Sequence, residues 1–193
     1  MKYDTEKTSA WIEAMALSDS QAAFGSLYAA CYKRLIRFTR LYLPSDADAE
    51  EVVSDTFLSL WNSRKLLPGI SNFDAWLYSV ARNKAISYYR SQYGMETVGL
   101  EENDTDLSLR TATTPEDELI AREDADRLNA AVDTLPAKCR AVFKLVREDR
   151  LKYREVATIL HISVKTVEAH LATAVRKLRE ALHDGDRENR GKA

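Results

Sequence analysis

Val164, Val167, Leu171, Val175, Leu178 and Leu182 follow one another in steps of three and four residues. At about 100° per residue, such steps stack on one side of an α-helix, so this segment reads as an amphipathic helix with a single buried stripe. The opposite face is thereby defined. It carries Lys165, Thr166, Ala169, Thr173, Arg176 and Lys177, with Glu168 and His170 on its flanks. Short polar side chains beside cations are what a helix lying in a nucleic-acid groove requires.

Immediately upstream, Tyr153 to Leu160 is spaced as a shorter helix with Val156, Ala157, Ile159 and Leu160 inward. His161 and Ile162 form the turn, and Ser163 is placed to cap the next helix. Two helices joined this way make a helix-turn-helix, whose second helix enters the major groove of duplex DNA. Residues Ser163 to His170 then meet base edges, and Lys152, Arg154, Arg176 and Lys177 reach phosphates. The plainer alternative is a pair of amphipathic helices that only pack together. In the same vein, His170 suits a partly buried helix position as well as a base contact, and Glu168 suits a solvated one.

The rest of the chain extends the helical pattern. Glycine and proline are scarce, apolar residues recur mostly at three- and four-residue spacing, and the fold class is all-α. A first block from Thr5 to Gln92 is broken at Ser18-Asp19, at Pro44-Ser45-Asp46 and at Pro68-Gly69-Ile70-Ser71, which leaves four helices. Tyr93 to Pro115 is polar and acidic, and reads as a linker. Periodicity resumes from Glu116 to His183, with breaks at Leu135-Pro136, Asp149 to Lys152 and His161 to Ser163. The tail from Asp184 to Ala193 is expected to be disordered. Two small helical domains, 1–92 and 116–183, joined by a flexible acidic linker at 93–115, are therefore predicted.

The formal net charge of −2 would argue against a nucleic-acid partner if it were evenly spread. Instead, Ala75 to Met95 contains Arg82, Lys84 and Arg90 with no acid, while Glu96 to Asp126 is dense in carboxylates. No apolar run approaches the roughly 18 residues that span a bilayer, and the start lacks an apolar signal core, so a cytoplasmic location is expected. Cys31 and Cys139 have no second Cys or His at ligand spacing, and both read as small buried hydrophobes. No metal site and no cofactor are implied.

In the first block, the helix from Ala49 to Trp61 places Val52, Val53, Phe57, Leu60 and Trp61 inward and turns Glu51, Ser54, Asp55 and Asn62 elsewhere. The run from Asn72 to Arg90 alternates cations with aromatics, a composition suited to separated strands, since rings stack on unpaired bases while cations meet phosphates. Helical spacing assigns Phe73, Trp76, Leu77 and Val80 to the core. Tyr88, Tyr89, Arg82, Asn83 and Lys84 are left for the surface.

Taken together, these segments resemble the extracytoplasmic-function (ECF) sigma factors of bacterial RNA polymerase, the two-domain type of the sigma-70 family. The resemblance rests on Ala22 to Tyr28, Ala49 to Phe57, Phe73 to Asn83, Leu135 to Phe143 and the helix-turn-helix, in that order and on either side of the acidic linker. It implies a protein without catalytic residues that docks on core polymerase, at its clamp helices and flap, and directs promoter recognition, melting and initiation. By position, Glu51, Ser54 and Asp55 fall where the family contacts the clamp helices, and a carboxylate there pairs with an arginine. The loop from Asn62 to Asn72, with Arg64 and Lys65, falls where the family captures a flipped base of the minus-ten element. Arg82, Asn83 and Lys84, followed by Tyr88 and Arg90, fall along that element. Extruding a base costs a few kcal/mol, which pocket contacts and backbone charges offset.

The helix from Ser163 would read the minus-thirty-five element through Ser163, Lys165, Thr166, Glu168, Ala169, His170, Thr173, Arg176 and Lys177. An anti-sigma factor, commonly membrane-anchored, is a further implied partner, and no small-molecule substrate is. Some positions depart from the family pattern. Ser54 replaces a frequent Gln; Arg150 and Lys152 stand where Gly and Ser are common, which removes the usual cap of the first helix of the motif. His161 stands where Gly is usual, so a strained φ is expected there. A one-component regulator with a sensing or dimerising first block is the rival DNA-binding reading. An all-helical enzyme is disfavoured, because all three histidines lie in the C-terminal segment and no paired carboxylates or glycine-rich phosphate loop stand out.

Overall fold

The structure is a computed structural model that describes the backbone of residues 5–94 and 122–190. No strand occurs among the described residues, in line with the all-α reading. The helices divide into two compact units, the first chiefly of residues 5–94, with 158–161 grouped with it, and the second of residues 122–157 and 162–190.

The first unit contains α1 (Thr5–Ser18), α2 (Gln21–Thr39), α3 (Asp46–Asn62) and α4 (Phe73–Tyr93), the four helices expected from the three breaks. Local chemistry explains where they start. Ser20, Ser45 and Asn72 cap α2, α3 and α4 by accepting the backbone N–H of Ala23, Asp48 and Ala75 at 3.3, 3.1 and 3.0 Å. A short 3-10 turn at Leu67–Gly69 follows α3 and inserts Leu67 into the core, packed against α1. α2 packs on α1, α3 and α4, so the core runs through Met15, Leu27, Leu35, Val53, Leu60, Leu77 and Tyr78. Cys31 is buried here, as expected of a small hydrophobe.

The second unit contains α5 (Arg122–Asp133), α6 (Ala137–Phe143), α7 (Tyr153–Leu160) and α8 (Val164–Arg190), with a π-helical turn at Lys144–Glu148 after α6. α8 packs against α5 and α6. Ala131, Val132, Leu135, Cys139, Ala174 and Leu178 form one apolar cluster, with Phe143 against it.

Two boundaries differ from expectation. α4 runs to Tyr93 and stops at Gly94, whose φ of 76° continues no helix; the remainder of the expected linker lies outside the described residues, as does the expected helical start at Glu116. α8 continues to Arg190, into the segment from Asp184 to Ala193 expected to be disordered. Intrahelical hydrogen bonds propagate cheaply once a helix is nucleated, and the single Gly185 costs only about 1 kcal/mol.

Candidate nucleic-acid interface

The turn of the helix-turn-helix is built by the backbone. α7 ends in a Schellman arrangement, in which the Ile162 N–H donates to the Ala157 carbonyl at 3.0 Å and the His161 N–H to that of Thr158 at 3.4 Å. This places His161 at φ 56°, the left-handed region expected where the family uses Gly. Arg150 also takes φ 56°. The cap of α7 comes from downstream: Glu155 reaches back and its Oε2 accepts the Lys152 N–H at 2.6 Å, half of a capping box that needs no serine. Ser163 caps α8 as expected, accepting the Thr166 N–H at 3.0 Å while its hydroxyl pairs with that of Thr166 at 2.7 Å.

Along α8, Val167, Leu171 and Leu178 are buried, and so is Ala174, which the expected stripe omitted. Val164 is a correction: it is 37% exposed, because a residue in the first turn lies beyond the reach of the core that covers later turns. Val175 is half-buried, and Leu182 lies outside the residues whose side chains are described. On the opposite face Lys165, Glu168, Ala169, Arg176 and Lys177 are exposed, with Thr166 and Thr173 half-buried at its edges. Arg176 bonds Glu180 at 3.1 Å, a surface i,i+4 pair that phosphate can replace at little cost. His170 is half-buried and turns its Nδ1 toward Cys139 Sγ, 3.6 Å away on α6. Burial lowers the imidazole pKa, and the charge on Lys138 adds to this.

The candidate residues of the first unit are more engaged. Glu51, Ser54 and Asp55 are exposed on α3, which faces α4. Lys84 on α4 pairs with Asp55 at 3.7 Å. The Tyr88 hydroxyl lies 3.0 Å from Glu51 Oε2 and 3.1 Å from Asp48 Oδ1, and its one proton serves both carboxylates. Desolvation and these two carboxylates push its phenol pKa up. Tyr93 donates to the other oxygen of Asp48 at 2.8 Å. Ser54 donates to the Glu50 carbonyl at 2.7 Å. Residues expected to face polymerase and residues expected to face DNA are thus each other's neighbours on one α3–α4 ridge.

Arg64 is tied down by Asp19 at 2.5 Å and lies over the Trp61 ring at 4.6 Å. Asn62, Lys65, Asn83 and Arg90 are exposed, while Asn72 is committed to capping α4. Arg82 is a correction to the expected surface position. It is only 8% exposed, because it follows Tyr78 by one helical turn on the buried side of α4. It bonds the buried Tyr42, whose phenol burial pushes up to about 12 against the opposing pull of Arg82.

The core assignment within α4 also needs correction. Leu77 is buried, but Phe73, Trp76 and Val80 are half-exposed, and Tyr78, Ala81 and Ala85 fill the core instead. Tyr78 is held there by Arg34, whose Nε donates to the phenol at 3.1 Å and whose Nη2 meets Asp74 at 3.3 Å. Phe73 and Trp76 stand with ring centroids 6.1 Å apart on the partly open side. The alternation of cations and aromatics in this run is the sequence signal for that exposure, which helical spacing alone does not reveal.

Among the described residues no cluster of His, Cys, Asp or Glu is arranged to hold a metal ion. No described helix is long and apolar enough to cross a membrane.

Comparison with known proteins agrees with this geometry. Residues 27–94 match the family model Sigma-70 region 2, and residues 125–178 match Sigma-70, region 4. RNA polymerase sigma factor CnrH of Cupriavidus metallidurans is 31% identical over 182 residues, covering 92% of this chain and 95% of that protein. ECF RNA polymerase sigma-E factor of Escherichia coli K12 is 26% identical over 160 residues, covering 80% of this chain and 83% of its own. Among solved structures, CnrH in complex with the cytosolic domain of CnrY matches with a TM-score of 0.59 at 28% identity, over 93% of this chain and 99% of that one. The sigma factor RpoE of Bartonella quintana, in complex with the anti-sigma factor NepR, matches with a TM-score of 0.60 at 22% identity, over 83% of this chain and 96% of that one, a likeness of fold. With a region 2 match in the first unit, a region 4 match in the second and a relative aligned over nearly its whole length, the chain belongs to the ECF sigma factors of the sigma-70 family.

Proposed function

We propose that the two units divide promoter recognition between them: α3 docks on core polymerase through Glu51, Ser54 and Asp55, α4 and the loop before it meet the minus-ten element, and α8 reads the minus-thirty-five element. The general role, promoter recognition and transcription initiation with RNA polymerase, is that of the family. The observation that carries the division is α8 itself, a helix with a buried stripe on one side and Lys165, Glu168, Ala169, Arg176 and Lys177 exposed on the other. Such a face offers adaptable short groups to base edges and cations to phosphates.

For the minus-ten element we assign Asn62, Lys65, Asn83, Lys84, Tyr88 and Arg90, and add Phe73 and Trp76 as stacking surfaces for unpaired bases. The protein is read as non-catalytic, acting in the cytoplasm, with domains at 1–92 and 116–183 joined by the acidic segment 93–115. Tethering the two readers raises their effective concentration, so neither needs high affinity alone, and a net charge of −2 is no obstacle. The solved complex of CnrH with the cytosolic domain of CnrY supports a protein partner for this chain as well, and we read that partner as a membrane-anchored anti-sigma factor.

The test is transcription by core polymerase supplemented with this protein on a genomic template library, paired with Asp55→Arg. The wild type should initiate at a defined promoter set. D55R should lower affinity for core at least about tenfold, since a carboxylate–arginine pair becomes a like-charge contact. Unchanged affinity would remove Asp55 from the docking face.

A further inference from the structure

Cys139 stands outside every role assigned above, yet its sulfur meets a residue of the reading helix. Sγ lies 3.6 Å from His170 Nδ1, within hydrogen-bonding range for sulfur. The thiol is only 4% exposed, packed with Ala174 and Leu178, whereas His170 is half-buried on the flank of the outward face of α8. The imidazole makes no other hydrogen bond among the described residues, so Nε2 remains to serve a ligand.

The direction of this bond decides what α8 can read. A neutral imidazole carries one N–H, and its other nitrogen accepts. Burial pushes the Cys139 thiol up against the pull of Lys177, and burial lowers the His170 pKa, so at neutral pH both groups are uncharged. Between an S–H donor facing an imidazole nitrogen and an N–H facing a neutral thiol sulfur, the first is the stronger pairing: the thiol is weak in either role, but the basic imidazole nitrogen is a far better acceptor than sulfur. The proton of His170 then sits on Nε2.

We propose that Cys139 is a positioning residue for promoter reading: its thiol donates to His170 Nδ1 and holds the ring as the Nε2–H tautomer, so that α8 presents a donor at this position. A donor selects guanine N7 or O6, adenine N7 or thymine O4 in the major groove; the opposite tautomer would select the amino groups of adenine or cytosine. This rests on the reading of α8 as the minus-thirty-five helix.

Two measurements on the full chain test it. In the wild-type protein, imidazole 15N shifts, assigned to His170 with His170→Gln, should show a protonated Nε2 and an unprotonated Nδ1; a proton on Nδ1 overturns the proposal. In the second, core polymerase with wild type, Cys139→Ala, Cys139→Ser or His170→Ala transcribes a promoter library randomised through the minus-thirty-five element. His170→Ala should reduce preference at one base position by about fivefold. Cys139→Ala should reduce preference at that same position and no other, Cys139→Ser should retain part of it by donating from oxygen, and the double variant should match His170→Ala alone. If His170→Ala changes a position that Cys139→Ala leaves intact, or if Cys139→Ala weakens all positions alike, the cysteine is structural and the proposal fails while the reading of α8 stands. If His170→Ala changes no position, His170 does not face DNA and the proposal fails; the reading of α8 falls with it only if Ala169→Val, on the exposed face, also changes no position.

Discussion

The α3–α4 ridge and the outer face of α8 hold their polar side chains in opposite ways. On α8, Lys165, Glu168, Ala169 and Lys177 stand exposed, and Arg176 is engaged only with its own helical neighbour Glu180. On the ridge, Lys84 holds Asp55, and Tyr88 holds Glu51 and Asp48. On the proposed assignment, a face of the first kind would read DNA without rearranging. A face of the second kind would exchange internal partners for polymerase and DNA, and because those surface pairs are weak, the exchange would be inexpensive. Reading duplex sequence rewards preorganisation, whereas meeting a protein and a melted strand rewards adaptable contacts.

Destroying one unit has the largest expected effect. Val167→Asp sets a carboxylate at a fully buried position of α8. It should cost the second unit about 4 kcal/mol, enough to unfold it. Amide spectra should then retain the dispersed signals of α1 to α4 and lose those of α6 to α8; loss of both sets would show that the units fold as one.

A smaller effect sharpens the account of the ridge. Tyr88→Phe removes the shared phenol proton from Glu51 and Asp48 and should lower the stability of the first unit by about 1 kcal/mol, read from urea denaturation. Affinity for core polymerase should hold or rise, since Glu51 is released. A fall in that affinity would mean that the phenol orients Glu51 for docking.

Of similar size and opposite sign is His161→Gly. The left-handed φ of 56° strains a side chain with a Cβ but not glycine, so thermal stability of the second unit should rise by up to about 1 kcal/mol, less the backbone entropy that glycine adds to the unfolded chain. A decrease would show that the His161 side chain contributes contacts that outweigh the strain.

The smallest effect is in pH. Burial raises the pKa of Asp48, but bonds from Ser45, Tyr93 and Tyr88 outweigh it and hold the carboxyl below its ordinary 3.8. A depressed carboxylate stabilises the fold fully above the unfolded value and loses that contribution as pH falls through the folded one. Asp48→Asn should therefore flatten stability against pH only in the acid range below about pH 4, as followed by denaturation midpoints, with no change in the pH dependence near neutrality.

Much of this was legible in the chain itself. The three- and four-residue steps from Val164 to Leu178 announce α8, its outward residues and its Ser163 cap, because periodicity, capping and the handedness of the helix are local properties. The four helices of the first unit follow from breaks at Ser18, Pro44 and Pro68 for the same reason. Tertiary packing alone decided the rest. Helical spacing defines a face but not how far a neighbouring helix covers it, so Arg82 turned inward to Tyr42 while Phe73 and Trp76 stayed half-open. Pairs separated by tens of residues, such as Cys139 with His170 or Glu51 with Tyr88, carry no periodic trace. They exist because α6 packs on α8 and α3 on α4, and only the folded chain brings those side chains within bonding distance.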